Sequence, residues 1–314
     1  MTAMQRVLTT GATGFVGNWM LKHLRQTRPD AKLWAAGDVP EPTDAAAMYD
    51  EYRRLDIRDY QAAEALVREC RPTHVCHLAG LVNAPSLSDY LAVNAVGSDN
   101  LYRALAGAEL DPAPRIVQIG SAAAYGPVGP EDLPITEAQP LAPLSPYALS
   151  KVAQDYVAAG AARTLGLHIV LGRVFNIMGP GQPESLVPMT FIRQFADVRG
   201  GKADCLRVGL TSPRRDFADI RDVVAALDAL LDRGGSGQVY NIGSGSDVSV
   251  QEIIDELMRL NGAAVPVEID QARVRPVAVK CVRADITKLT SATDWRPRFN
   301  WPDSLEAMWR EVFS

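Results

Sequence analysis

Cysteine and histidine are scarce in this 314-residue chain, with four of each, and neither kind is clustered. Cys70, Cys76, Cys205 and Cys281 form no CxxC pair, which argues against a disulfide framework or a zinc site and for reduced thiols. His23, His74, His77 and His168 lack the spacing of metal ligands, so they read as packed or solvated side chains, and no metal is expected. Long basic runs are missing too: the formal net charge is −5, and Lys and Arg come singly or in pairs. That pattern gives no footprint for nucleic acid or for a membrane surface. No apolar stretch approaches the length that spans a bilayer. Thr9, Thr10 and the glycines after them break the first apolar run, so a signal-peptide layout is not read and a cytoplasmic protein is expected.

What is present is an ordinary globular composition, 47% apolar and 22% charged, enough for one large domain or two intimately joined ones. Strand and helix signals alternate through the first half. Short apolar runs predict strands at 6–9, 32–36, 52–55, 74–78, 116–119, 168–174 and 238–241. Helices are expected through Trp19, Leu21 and Leu24, around Ala62, Ala65 and Leu66, from about Tyr90 to Ala106, and from Ser145-Pro146 onward, where proline suits the first turn. Strands alternating with helices imply a parallel, doubly wound α/β sheet covered on both faces. The proline-rich stretch 127–146 reads as a loop over an active-site mouth. Beyond the sixth strand the order is expected to loosen into loops and short helices, with Trp295 and Phe299 anchoring the C-terminal segment.

Gly11-Ala12-Thr13-Gly14-Phe15-Val16-Gly17 lies between a predicted strand and a predicted helix. Glycines there allow a tight turn and let backbone N–H groups approach a pyrophosphate at the helix N-terminus. Asp38 follows the second strand, where a carboxylate can accept the hydroxyls of an adenosine ribose and repel a 2′-phosphate. No arginine follows that strand directly, so NAD(H) is expected over NADP(H). Tyr147 and Lys151 stand four apart on one helix face. A free tyrosine loses its proton only near pH ~10, and a neighbouring ammonium makes it a usable acid or base. Ser121, ending the fifth strand, can hydrogen-bond a carbonyl beside that tyrosine. Each feature also has an ordinary reading, as a turn, an exposed helix pair or a cap.

Together these segments, with His77-Leu78-Ala79-Gly80, Asn94, Tyr125-Gly126, Arg173-Val174-Phe175-Asn176, Gly179-Pro180-Gly181-Gln182, Arg215-Asp216-Phe217, Arg275-Pro276 and Trp295-Arg296-Pro297, resemble the extended short-chain dehydrogenases/reductases. The wording is most similar to the GDP-mannose 4,6-dehydratase and GDP-4-keto-6-deoxy-mannose reductase group. The resemblance implies a Rossmann sheet with a smaller C-terminal substrate-binding domain: 1–175 with about 216–245 for the cofactor, 176–215 and 246–314 for a nucleotide sugar. It implies a catalytic Ser121, Tyr147 and Lys151, with Lys151 also on the nicotinamide ribose and Asn94 supporting it through backbone and water contacts. It implies cofactor contacts at Gly11, Thr13, Gly14, Phe15, Val16, Gly17, Asp38, Asp56, Ile57, Leu78, Ala79 and Gly80, with Asp56 at the adenine. Ser121, Tyr147, Asn176, Arg215 and Arg275 would meet the substrate, arginine forks suiting phosphate oxygens. The helices near Leu101–Leu105 and Tyr156–Val157 resemble the pair through which family members dimerise, and core packing would explain them equally. Two departures stand out. Dehydratases of the group carry an acidic pair after the catalytic hydroxyl residue, and the related reductases often keep a glutamate there, whereas Ala122, Ala123 and Ala124 follow Ser121. The stretch from Gly80 to Asn94 is shorter than the family's sugar-contacting loop. The expectation is a reductase of a nucleotide-linked, GDP-type 4-keto-6-deoxy-hexose. The alternatives are a nucleotide-sugar 4-epimerase and, third, a non-catalytic cofactor-binding scaffold.

Overall fold

A computed structural model of the chain describes residues 4–42, 47–274 and 280–313. Its main sheet contains β1 (Arg6–Thr10), β2 (Lys32–Gly37), β3 (Glu51–Arg54), β4 (His74–His77), β5 (Arg115–Ser121), β6 (His168–Val174) and β7 (Val239–Ile242). The strands run in the order β7-β6-β5-β4-β1-β2-β3, and every neighbouring pair is parallel. Such strands lie between two layers of helix, so both faces must be apolar. Val7-Leu8, Leu33, Ala35, Val75-Cys76, Ile116-Val117 and Ile169-Val170 are accordingly sealed from solvent. Each expected strand is found within about two residues of its expected ends. The strand order reverses between β1 and β4, which opens a crevice beyond their carboxyl ends.

The helices are α1 (Phe15–Thr27), α2 (Tyr60–Cys70), α3 (Leu87–Leu91), α4 (Gly97–Gly107), α5 (Pro146–Thr164), α6 (Met189–Arg199), α7 (Ile220–Arg233), α8 (Val250–Asn261), α9 (Thr287–Thr293) and α10 (Trp301–Phe313). One face of the sheet is covered by α1 and α7, through Met20, Leu21, Leu24, Val223, Leu227 and Leu230. The other is covered by α2, α4 and α5, through Leu66, Val67, Leu101, Leu105, Ala158 and Ala161. Trp295 joins the first layer and donates its indole N–H to the Asp222 carbonyl at 3.1 Å.

Two expectations need correction. The helix expected from Tyr90 to Ala106 starts at Leu87 and is interrupted by a π-helical turn, Ala92–Val96, between α3 and α4. Nor does order loosen after β6: α6, α8 and α10 run 11, 12 and 13 residues. Their inner faces (Phe191, Phe195, Ile253, Leu257, Leu305, Met308) close a third apolar cluster. That burial, together with the Ser249–Glu252 capping box on α8, makes them helices. The proline-rich stretch is irregular apart from a 3₁₀ turn at Pro130–Asp132. It is tied down at Ile135, which donates to the Arg283 carbonyl at 2.8 Å and accepts from Asn241 Nδ2 at 2.8 Å.

Candidate active site

β1 delivers the chain into a turn that only glycine can make. Gly11 has φ +67°, and a Cβ there would sit 2.6 Å from the Ala79 backbone nitrogen. A Cβ on Gly17 would meet the Gly11 carbonyl and come within 2.7 Å of Ala12 Cα. The turn therefore packs flat against both β4 and α1. Gly14 is the N-cap of α1 and supplies no side-chain cap, so first-turn N–H groups are left to an anion. Beside them opens a cavity of about 470 Å³, lined by Gly11, Thr13, Gly14, Asp38, Asp56, Ile57, Leu78, Ala79 and Gly80, all named from sequence. Thr10, Ala36, Gly37, Leu55, Arg58, Leu81 and Val93 complete the lining. A turn of backbone donors at one wall and exposed carboxylates at another suit the pyrophosphate and ribose of a dinucleotide.

Phe15, Val16 and Gly17 do not line this cavity. They occupy the first turn of α1, where 100° per residue carries side chains away from the turn. Phe15 faces an outer groove with Trp19, Lys22, Pro180 and Gly181. Two arginines at the adenosine end were not foreseen. Arg54 Nε donates to the Asp38 carbonyl at 3.0 Å. Arg58 forks onto Asp56, Nε to Oδ1 at 2.9 Å and Nη2 to Oδ2 at 2.6 Å, and holds that carboxyl below its ordinary range.

Ser121, Tyr147 and Lys151 come together beyond the end of β5. Ser145 caps α5 by accepting from Ala148 N at 3.1 Å, with Pro146 in the first turn. Tyr147 is half-buried, its ring edge-on to Tyr90 at 6.0 Å between centroids; Tyr90 is itself held by the Val82 carbonyl at 3.1 Å. Burial pushes the Tyr147 phenol above its ordinary range, while a hydrogen bond with the Ser121 hydroxyl opposes the rise. Lys151 is 4% exposed and donates to the Ile119 carbonyl at 2.8 Å and to Gln154 Oε1. Burial pulls its ammonium down to about 8, against the nearby Asp155 charge. Asn94 lies in the π turn; its Nδ2 donates to Ser150 Oγ at 2.8 Å and to the Leu81 carbonyl at 3.1 Å. It thereby ties the 80s loop to α5 through Ser150, the residue before the lysine.

Of the expected substrate residues, Asn176 follows β6 and donates from Nδ2 to the Asp216 carbonyl at 3.0 Å. Arg215 is half-buried on the short strand Arg214–Arg215, between strands Val248–Ser249 and Cys281–Val282, and donates to the Arg214 carbonyl at 2.7 Å. Arg214, not Arg215, pairs with Asp247 and Glu252. Asp216 is structural: its two oxygens accept from Ser244 N, Ser244 Oγ, Gly245 N and Ala284 N at 2.7–3.1 Å. Arg275 lies outside the described residues.

The sequence model of the family described as GDP-mannose 4,6 dehydratase matches residues 8–308. The chain belongs to this family. GDP-6-deoxy-D-mannose reductase of Pseudomonas aeruginosa is 33% identical over 97% of this chain and 96% of its own length. The solved structure of RMD from P. aeruginosa, in complex with NADPH, superposes with a TM-score of 0.86 at 30% identity, covering 98% of this chain and 99% of that one. A putative epimerase from Burkholderia cenocepacia gives a TM-score of 0.87 at 31% identity, covering 98% of both chains. The protein is thus an NAD(P)-dependent enzyme of the extended short-chain dehydrogenase/reductase type, with that group's parallel nucleotide-binding sheet.

Against that family background, the 3₁₀ turn Ala122–Tyr125 directly after Ser121 matters most. Ala123 is exposed there and Ala124 is buried, and a methyl group neither gives nor takes a proton. Sequence reasoning also missed the residues around the lysine: Gln154, Ser98 and His77. Their only signal was a polar residue one turn beyond Lys151 and a histidine inside an apolar strand.

Proposed function

We propose that the enzyme reduces the 4-keto group of a nucleotide-linked, GDP-type 4-keto-6-deoxy-hexose. The observation that carries this is the alanine run after Ser121 beside an otherwise complete Ser-Tyr-Lys set. Dehydration needs an acid and a base at the sugar's carbons 5 and 6, and Ala122–Ala124 offer neither. Reduction needs only what remains. Reduced nicotinamide supplies the hydride. Ser121 donates a hydrogen bond to the ketone, Tyr147 gives the proton to the forming alkoxide, and Lys151 as a cation stabilises the phenolate left behind. Arg215, Arg275 and Asn176 take the diphosphate and its ribose, and residues 176–215 and 246–314 form the substrate-binding part against 1–175 and about 216–245. The P. aeruginosa reductase at 33% identity supports both the reaction and the GDP moiety.

The exposed Asp38 favours NAD(H) over NADP(H), since its carboxylate meets ribose hydroxyls well and a 2′-phosphate badly. A homodimer through α5 and the π turn before α4 is supported by the exposed apolar side chains Val96, Leu149 and Tyr156, which are 53%, 42% and 67% accessible, whereas Leu101 and Leu105 of α4 are core residues. A cytoplasmic setting agrees with its unpaired cysteines, and no helix among the described residues is long and apolar enough to cross a membrane. A 4-epimerase is the second reading, supported by the B. cenocepacia relative and by an epimerase's use of the same triad. The purified protein, NADH and GDP-4-keto-6-deoxy-mannose decide between them, with products read by NMR. Stoichiometric NADH consumption with a new carbon-4 hydroxyl is expected. Inversion at carbon 4 of a GDP-hexose without NADH consumption would replace the reductase by the epimerase. Binding without turnover on either substrate would leave a scaffold.

A further inference from the structure

Lys151 sits at one end of a continuous chain of buried polar side chains. Its Nζ donates to Gln154 Oε1; Gln154 Nε2 donates to Ser98 Oγ at 3.0 Å; Ser98 Oγ donates to the Asn94 carbonyl at 2.6 Å. His77 Nε2 is 2.8 Å from Ser98 Oγ, and its Nδ1 is 2.8 Å from Thr10 Oγ1. Gln154, Ser98, His77 and Thr10 are fully buried.

Donor counting fixes the direction of every link. An ammonium has only donors, so the amide oxygen of Gln154 must face Lys151 and its NH₂ must face Ser98. The single Ser98 hydrogen is committed to Asn94, so its oxygen accepts from both Gln154 and His77. His77 therefore donates from Nε2. Burial with the Lys151 charge pulls His77 down to about 3, so the ring is neutral and its Nδ1 accepts from Thr10 Oγ1. The Gln154 amide thus cannot rotate without stranding a buried group, and its oxygen is locked onto the lysine. Ser98 bonds the carbonyl four residues back, as helical serines commonly do.

We propose that Gln154, oriented by Ser98 and His77, is the positioning residue that fixes the Lys151 ammonium in place and keeps it charged. The inference rests on the reading of Lys151 as part of the triad. Of the ammonium's three N–H groups, Ile119 and Gln154 take two among the described residues, which leaves the third for the site. The other ionisable groups around it are Tyr147 and Asp155 on α5, Arg173 on β6 paired with Asp155 at 2.8 Å, His77 on β4, and Tyr102 on α4, edge-on to His77. Among the described residues, Gln154 alone meets the ammonium with a neutral side-chain acceptor, and its orientation is dictated from behind.

The chain's lysines are Lys22, Lys32, Lys151, Lys202, Lys280 and Lys288, few enough to follow each ¹³Cε resonance in protein labelled at lysine. Lys151 is assigned by the peak lost in Lys151→Met, and its shift is followed with pH. Wild type is expected to titrate at about 8. Gln154→Leu removes a hydrogen bond to the charged form and should lower that midpoint by on the order of one pH unit. Gln154→Glu should raise it, and Ser98→Ala, which frees the amide, should lower it by less. A folded Gln154→Leu protein with an unmoved midpoint overturns the proposal. If that variant does not fold, an unmoved midpoint in Gln154→Glu does so instead. Turnover of Lys151→Met is scored separately: retained activity would sink the triad reading while the titration still decides Gln154.

Discussion

The ion pair behind the lysine is expected to be costly to break and cheap to remove. Asp155 Oδ2 accepts from Arg173 Nε at 2.8 Å, and both side chains are about 6–7% exposed. Asp155 Oδ1 has no hydrogen-bond partner among the described residues. Burial holds the Asp155 carboxyl above its ordinary range against the pull of Arg173 and Lys151, while Asp155 and Tyr125 hold the Arg173 guanidinium above its own against burial, so desolvation and attraction come close to cancelling. A pair of this kind is little better than apolar residues of the same volume. Asp155→Leu alone is another matter. It leaves the Arg173 guanidinium buried against the Tyr125 hydroxyl at 3.3 Å and the Tyr125 ring at 5.1 Å, and an orphaned buried charge costs about 3–5 kcal/mol. Arg173→Met strands the carboxylate and should cost about the same. The double variant should recover most of the loss, with a coupling of at least ~2 kcal/mol. Urea denaturation followed by circular dichroism measures all four corners of the cycle. A single variant within ~1 kcal/mol of wild type, or a double variant as destabilised as the two singles added, would refute the argument.

The other predictions concern the triad, the turn and pH. Tyr147→Phe keeps the ring and removes the proton donor, so turnover should fall at least ~100-fold while NADH affinity, read by fluorescence titration, stays within a factor of about two. Because Lys151 must be cationic and burial has pulled it down to about 8, kcat/KM should decline as pH rises through that value; a flat profile to pH ~10 would contradict the role of the charge. Gly17→Ala would drive a methyl into the Gly11 carbonyl and within 2.7 Å of Ala12 Cα; backbone cannot yield there, so NADH binding should be lost, together with more than the ~1–3 kcal/mol of an ordinary overpacked site. His77, held neutral down to about 3, contributes stability that is whole above its unfolded value near ~6.5 and is lost as pH falls toward 3. His77→Gln should flatten the acid side of the stability curve by about one proton, or ~1.4 kcal/mol per pH unit.

The parts legible from sequence were those in which one physical demand governs a contiguous run. Strands buried on both faces must be largely apolar, so the inner strands β1, β2, β4, β5 and β6 could be read from their apolar runs, whereas the edge strand β3, Glu51-Tyr52-Arg53-Arg54, carries no buried residue. The turn at Gly11–Gly17 is a local steric problem with a local solution. What escaped was set by neighbours distant in sequence. Arg54 could not be placed beside Asp38 by reading onward from β2, because it arrives across the sheet, in the register that sets Gly37 opposite Arg54. Gln154 looked like any polar residue on a helix surface; only the burial of Ser98 and His77 beneath α5 turns it inward. The Phe15 side chain faces the outer groove with Trp19 and Lys22, so only its backbone N–H, in the first turn of α1, is left for a cofactor contact. The C-terminal helices are held by apolar faces that meet one another, although the Ser249–Glu252 capping box and the spacing of Ile253, Ile254 and Leu257 were local signals for α8.

The buried chain from Thr10 to Lys151 joins two sites that the sequence presents as separate motifs. Thr10 is the last residue before the glycine turn, and its hydroxyl also lies 3.4 Å from the Ala79 amide at the cavity wall. His77 and Ser98 carry the connection across β4 and α4 to α5. Each link is a buried group whose partner cannot be lost without leaving a donor or acceptor unsatisfied, at roughly 1–3 kcal/mol apiece. A rotamer change at Lys151 would have to be accommodated at Gln154, Ser98 and His77 in turn. The glycine turn and the Lys151 ammonium are therefore joined by one buried polar chain. Substitutions at its two ends act on shared partners, and their effects on cofactor binding should not add.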